Sequence, residues 1–410
     1  MSSPPSTNVR PHGSRRRPLL AVGVAVAVAV VAGLVATWAL VGGDNDRDDD
    51  RDDARAPPSD AVEASGWEPI EAMPVATPNG AVAAWTGTEV LVFDGLHPGG
   101  VAPRVGAGYD VARNTWRVLS EMPAAVASGF QVVWAEGRLL VLGAEVGRGD
   151  EAPRSVVLAY DPAADRWTTS VAPTPAFGDP VWTNAVWGGG VLYAWLGGDS
   201  GRSGPGPDPR FFGYRPASDE WHELGVGPFG VEAPTTSVWT GDQLLAIGSS
   251  AAAEFEPASG RWLGLQDSPA SFHRTPPAMR WTGSEVVVVG YDTLGVNPAG
   301  PSAAFDPATD GWRPLPEFPQ RGATTDGLVV WTGRELVVVE TDFDAQTRTA
   351  SGLLATSYDP AGDVWGQLPE ERSAPKCLPT AAEWTGSELV VLGFSDCGLA
   401  LVTSAYRLRL

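Results

Sequence analysis

Two short phrases alternate along this chain with a period near 50 residues, and that repetition constrains the fold more than any other feature. The first phrase sets a Trp before a turn and an apolar run: AWTGTEVLVF, VWAEGRLLVL, VWGGGVLYAW, VWTGDQLLAI, RWTGSEVVVV, VWTGRELVVV and EWTGSELVVL. These begin around Trp85, Trp134, Trp187, Trp239, Trp281, Trp331 and Trp384, at spacings of 49, 53, 52, 42, 50 and 53. The second phrase puts an aromatic residue seven positions before a Trp, with Asp-Pro between in three of six cases, as in AAFDPATDGWRPLP (303 to 316). Its complete pairs are Tyr109 and Trp116, Tyr160 and Trp167, Tyr214 and Trp221, Phe255 and Trp262, Phe305 and Trp312, and Tyr358 and Trp365. The runs are β-branched and apolar and are bounded by Gly, Pro and Asp, so each unit reads as four short strands joined by tight turns.

Strand-rich units at this period are the signature of a propeller array. The chain also shows how the array closes. The seventh unit ends at TSAYRLRL, with no Trp strand after Tyr406, while SGWEPIEAMP (65 to 74) matches NTWRVLSEMP (114 to 123). Residues 65 to 74 are therefore expected to form the outer strand of the last blade, which removes exposed edges from the ring. The expected fold is all-β: a seven-bladed β-propeller of four-stranded blades over residues 65 to 410.

Residues 1 to 17 are polar, end in Arg15, Arg16 and Arg17, and lead into the uncharged run LLAVGVAVAVAVVAGLVATWALV (19 to 41). Twenty-three residues at about 1.5 Å rise make roughly 35 Å of helix, enough to cross a hydrocarbon core of about 30 Å. The organisation expected is a cytoplasmic tail (1 to 17), a transmembrane helix (18 to 43), an acidic linker (44 to 64) and the propeller. Positive charge precedes the helix and DNDRDDDRDD follows it, so the N-terminus is placed in the cytoplasm and the propeller outside. A cleaved signal peptide is the alternative, against which stand the length of the run and a poor cleavage site at Thr37-Trp38-Ala39. Without the four Arg of residues 1 to 43, 24 basic and 49 acidic groups remain, a net charge of −25. That sign excludes nucleic acid as a natural partner. The heavy use of Ala, Gly and Pro beside the single lysine, Lys376, points to a GC-rich bacterial genome.

The aromatic-Asp-Pro…Trp phrase and the period resemble kelch repeats, of the kind also found in the seven-bladed domain of galactose oxidase. The resemblance covers residues 65 to 410. The chain departs from it where kelch repeats end their second strand in Gly-Gly, a pair kept here only at Gly197-Gly198. The galactose oxidase resemblance implies a copper-radical site of two Tyr, two His and a Cys cross-linked to one Tyr. Against that reading, His12 falls on the wrong side of the membrane and His222 follows a repeat Trp, leaving His97 and His273; outside the repeat positions only Tyr193 and Tyr291 remain. The copper oxidase is disfavoured, and neither metal nor cofactor is expected. Signatures for serine hydrolases, zinc proteases, phosphate-binding loops and Cys-x-x-Cys are missing from the sequence.

If the Trp-Thr-Gly and Asp-Pro turns share one face, the loops after the second strands and between blades share the other, and these vary: LHPGGVAPR, GDSGRSGPGPDPR and TDFDAQTRTASG. Variable loops on a rigid scaffold are where binding resides. Just after the second strand an acid recurs as Asp94, Glu145, Asp199, Asp292, Asp342 and Asp396, with Ser249-Ser250 in blade four. An acidic annulus around the channel mouth would suit a cation, a basic peptide or sugar hydroxyls; the plainer reading is of solvated turn residues. Trp182 and Trp195 fall outside the repeat, open to sugar stacking or to packing. The function expected is a non-catalytic module binding a cell-surface protein or glycan, with oligomeric state open; the alternative is an envelope carbohydrate-active enzyme, a hydrolase or lyase working through a carboxylate pair. Cys377 and Cys397 flank the last Trp hairpin almost symmetrically and, in an exported domain, are expected to form a disulfide. Non-reducing peptide mass spectrometry should show the two bonded to each other; two alkylatable thiols would refute the pairing.

Overall fold

The computed structural model describes residues 66–77, 81–94, 104–145, 153–173, 180–198, 209–230, 233–248, 251–265, 277–290, 300–319, 321–322, 328–344, 349–374, 378–395 and 403–410. The expected tail, transmembrane helix and linker lie outside these residues, as do Cys377 and Cys397. Among the described residues no helix is long and apolar enough to cross a membrane.

Seven four-stranded antiparallel sheets make up the fold. Blades 1 to 6 span residues 81–118, 126–171, 180–226, 236–264, 278–314 and 329–367, each with its strands in sequence order from the inside outward. Blade 7 takes three strands from Leu378–Trp384, Glu388–Ser395 and Ala405–Arg409, and its outermost strand is Trp67–Pro69 from the other end of the domain. First strands of neighbouring blades lie side by side around the whole ring, including blade 7 against blade 1. The expected closure is thus formed, and the ladder is continued beyond Pro69 by Ile70 N donating to Ala405 O (3.0 Å) and Met73 N to Thr403 O (2.9 Å). One register differs from the sequence reading. Trp67 stands opposite Leu408, while Tyr406 is opposite Pro69, so Leu408 and not Tyr406 fills the repeat aromatic position of blade 7.

The two phrases build two turns. In the Trp-Thr-Gly turn the Thr hydroxyl accepts the amide three residues on, as at Thr86 to Glu89 (2.9 Å) and Thr332 to Glu335 (2.9 Å). The third position requires φ near +100°, which Gly87 (101°) and Gly283 (104°) adopt without strain. In the Asp-Pro turn the Asp carboxylate accepts nearby amides, Asp161 from Ala163 (3.0 Å) and Asp359 from Ala361 (3.0 Å). Two residues before the Trp the chain turns left-handed at Asn114, Asp165, Asp219, Gly260, Asp310 and Asp363. The side chain there accepts the hydroxyl of the repeat tyrosine: Tyr109 to Asn114 at 2.8 Å, Tyr160 to Asp165 at 2.6 Å, Tyr358 to Asp363 at 2.6 Å. A spacing of seven puts aromatic and Trp directly opposite each other, with ring centroids 4.9 Å apart for Tyr109 and Trp116 and 5.0 Å for Tyr358 and Trp365.

The apolar core consists of seven clusters, one at each seam between neighbouring blades. Four of the outer Trp also bond across a seam to the backbone. The indoles of Trp67, Trp116, Trp167 and Trp365 donate to the carbonyls of Pro369, Glu71, Ser120 and Pro316, all on the chain leaving the preceding blade. Charged groups reinforce three seams. Between blades 1 and 2, Arg117 holds Glu89 through two bonds (2.9 and 2.8 Å) and reaches Tyr160 and Asp165 beyond. Arg313 repeats this with Glu285, Tyr358 and Asp363 between blades 5 and 6. In blade 7, Arg407 supplies the cation, between Glu68 and Glu388.

Trp67 is 5% exposed and packs the closing strand onto blades 6 and 7. Trp67→Ala should destabilise the propeller by about 3–5 kcal/mol, the usual range for emptying a buried Trp site. Unchanged melting of the full chain would show that the first strand does not close the ring.

Candidate functional site

Structurally, the acids read as a rim do not occupy one position. Asp94 lies nine residues after Trp85, opposite Ala81 in the inner strand, and is buried. The equivalent residue of blade 6 is Glu340, which the sequence reading passed over in favour of Asp342. Glu340 is fully buried, accepts the amides of Arg321 and Gly322 (both 3.0 Å), and has its ionisation pushed up by burial. In blades 2, 4, 5 and 7 the same place is held by Gly143, Gly248, Gly290 and Gly393. A Cβ at Gly393 would come within 2.2 Å of the Ala81 side chain, so the glycines admit the incoming chain, which Glu340 instead captures by hydrogen bonds. Glu145 is ion-paired to Arg154 on the adjacent strand. Asp342 is exposed, at the register shift between Thr341 and Phe343. Asp199, Asp292 and Asp396 lie outside the described residues. Asp94 therefore belongs to the blade interior and not to a rim. Counting acids from strand ends misled because the second strands differ in length, ending at Asp94 in blade 1 and at Asp344 in blade 6.

The aromatic and histidine candidates resolve toward packing where they are described. Trp195 is 1% exposed and stacks on Phe211 at 4.5 Å. Tyr193 is buried between blades 3 and 4 against Trp239 (5.7 Å) and Phe211 (5.9 Å), as part of the seam. Trp182 is part of the first strand of blade 3, and His222 is exposed on the outermost strand. His97, His273 and Tyr291 lie outside the described residues. Among the described residues no three His, Cys, Asp or Glu side chains gather closely enough to hold a metal.

Two charged residues of opposite sign, missed in the sequence reading, occupy the repeat position on the first strands, at the axial side of the ring. The residue just before the repeat Trp is Ala84, Val133, Val186, Val238 or Val330 in five blades, but Arg280 in blade 5 and Glu383 in blade 7. Thr86 donates its amide to Glu89 on the second strand, so the preceding amide, that of Trp85, points the other way, toward the axis. Glu383 meets this amide and also feels the charge of Arg280 from two blades away, as the inward direction of the amide requires. Burial pushes the ionisation of Glu383 up to about 7, against the opposing pull of Arg280 and the Trp85 amide. Such a group exchanges a proton near neutral pH, and Arg280 holds the equivalent repeat position in blade 5 with a positive charge. The signal was in the repeat phrases themselves, where RWTG and EWTG replace an apolar residue by a charge. On the turn face a shallow groove over the Glu89–Arg117 pair is lined by Thr86, Thr88, Trp134, Gly137 and Pro162.

No protein-family model matches the chain, and no curated protein matches it. Solved structures do. The chain is similar to one from a crystal structure of the mitotic checkpoint complex at 14% identity, TM-score 0.52, with 92% of this chain and 99% of that chain covered. It is similar also to a fungal alcohol oxidase of the AA5 family in complex with copper at 14% identity, TM-score 0.55, with 84% of this chain and 76% of that chain covered. At such identities the likeness is one of fold: this chain is a seven-bladed β-propeller.

Arg280→Ala should raise the Glu383 midpoint above about 7, since it removes a charge that favours the carboxylate. Carboxyl-carbon NMR of the glutamate-labelled chain would read the shift, and an unmoved midpoint would separate the two residues.

Proposed function

We propose that this chain is a single-pass membrane protein, N-terminus in the cytoplasm, whose kelch-like propeller lies outside and holds a protein or glycan partner at the cell surface without catalysis. The observation that carries this reading is the contrast between the two faces. The turn face repeats the Thr-Gly turn in five blades and the left-handed turn before the outer Trp in six, and its Glu–Arg pairs are engaged in joining blades. The second strands run away from that face, and the chain beyond them, LHPGGVAPR in blade 1 and GDSGRSGPGPDPR in blade 3, follows no repeat. A scaffold that holds its own turns constant and lets the opposite loops diverge is built to present those loops. The uncharged segment 19 to 41 with arginines before it supports the anchor and its orientation.

One observation favours a second reading, an envelope carbohydrate-active enzyme. Glu383, with its midpoint near neutrality, has the property required of a general acid or base. The two readings separate by experiment. Photo-crosslinking residues placed at Glu145 and Asp342 should capture a partner in intact cells, and the same residues at Thr86 and Ser284 on the turn face should not. Capture from the turn face alone, or equally from both, would overturn the binding reading. Turnover of a cell-surface glycan that disappears in Glu383→Gln would establish the enzyme instead.

A further inference from the structure

The seam between blades 4 and 5 breaks the charge pattern of the ring. In blades 1, 2, 3, 5 and 6 the residue before the repeat aromatic is small: Gly108, Ala159, Gly213, Ala304 or Ser357. That position faces the seam. A Cβ built at Gly108 would lie 3.3 Å from the Glu89 carboxylate and 3.4 Å from Arg117 Nε, beside the pair that joins blades 1 and 2. Blade 7 has Arg407 there, the cation of its own seam. Blade 4 has Glu254.

Every group that would neutralise Glu254 is replaced. Where blades 1 and 5 carry Arg117 and Arg313, blade 4 has Leu263; where they carry Glu89 and Glu285, it has Gln243. The next blade offers Phe305, without the hydroxyl by which Tyr160 and Tyr358 meet the guanidinium. Glu254 is 7% exposed, and its Oε1 has no hydrogen-bond partner. Its neighbours across the sheet are Leu245 and Leu263. The charged groups that face it are Asp310 from the blade 5 turn and Asp242 from the turn of its own blade, both negative. Glu254 thus feels two further carboxylates at its seam and, among the described residues, no cation, and these residues form no cluster compact enough for a metal.

We propose that this seam is a proton-operated joint: with Glu254 protonated, blades 4 and 5 pack as their neighbours do, and with Glu254 ionised the seam loosens and becomes the place where the ring opens. Burial first, then Asp310 and Asp242, push Glu254 up to about 7 from its ordinary 4.5. The folded chain therefore holds a proton that the unfolded chain has released between those values. The stability it contributes is complete below about 4.5 and is lost as pH rises through about 7. A shift of this size changes the opening equilibrium by about 300-fold at full ionisation, tenfold for each unit.

The test uses the full chain in detergent micelles, with hydrogen exchange followed on peptides 252–265 and 303–314. Peptides of the blade 1–2 seam, held by Arg117, serve as the internal reference for the intrinsic pH dependence of exchange. From about pH 5.5 to about pH 8.5 the blade 4–5 peptides should lose protection relative to the reference. Glu254→Gln should abolish that difference. Leu263→Arg, which restores the guanidinium found at other seams, should keep the seam protected at the alkaline end and so tests the idea even where the Gln variant folds poorly. The proposal is overturned if wild-type protection at the seam does not change with pH, or if Glu254→Gln keeps the wild-type response. It is also overturned if calcium restores protection at the alkaline end through Glu254, since a metal and not a proton would then be the occupant.

Discussion

The contact between neighbouring blades is the interaction on which this molecule rests. A four-stranded sheet has two faces and no interior, so a lone blade would leave both faces in water. The apolar clusters all straddle seams, none lies within a single blade, and Tyr109, Tyr160 and Tyr358 contribute ring faces to the seam and hydroxyls to the turns. It follows that no blade is stable without both neighbours and that the ring is stable only when closed. The closing strand is three residues long, yet Trp67 ties it to the seam beside blade 6 through packing and the Pro369 carbonyl.

The polar groups then differentiate seams that hydrophobic packing leaves nearly alike. Arg117, Arg313 and Arg407 each sit among carboxylates and aromatic hydroxyls, where the charge is partly shielded from water; Arg117 and Arg313 grip both oxygens of Glu89 and Glu285, while Arg407 puts two nitrogens on one Glu68 oxygen. Ser170 joins blades 2 and 3 without a cation, accepting the Trp221 indole at 3.2 Å and donating its hydroxyl to the Asp219 carboxylate at 2.5 Å. The blade 4–5 seam has acids alone. A ring so built is uniform in shape but uneven in strength, and its unevenness follows single substitutions at two or three repeat positions.

Much of the architecture was legible because it depends on spacing. Seven Trp phrases fix seven inner hairpins, an interval of seven fixes the aromatic pair, and a Trp phrase displaced to residue 67 announces closure. What stayed hidden depends on register and on proximity between distant residues. Leu408 takes the aromatic place in blade 7 because no Asp-Pro turn joins its last two strands and sets their offset. Asp94 and Glu340 are equivalent by distance from the Trp, yet strands of unequal length disguised this. Glu383 and Arg280 are about a hundred positions apart in the chain and become neighbours only around the axis. Glu254 could be singled out only once Gly108 showed what that position faces.

The join in blade 7 also governs the order of events during folding. Trp67 pairs with Leu408, the longest-range contact in the ring, whereas every other blade pairs strands drawn from a single stretch of chain. Six blades can assemble as they emerge, in sequence, but the strand at residues 67–69 has no partner until Ala405–Arg409 exists. Until then the growing arc exposes an apolar face at each end, the condition under which chains associate with one another. Completion is therefore a single late step, in which a loop of more than three hundred residues is closed.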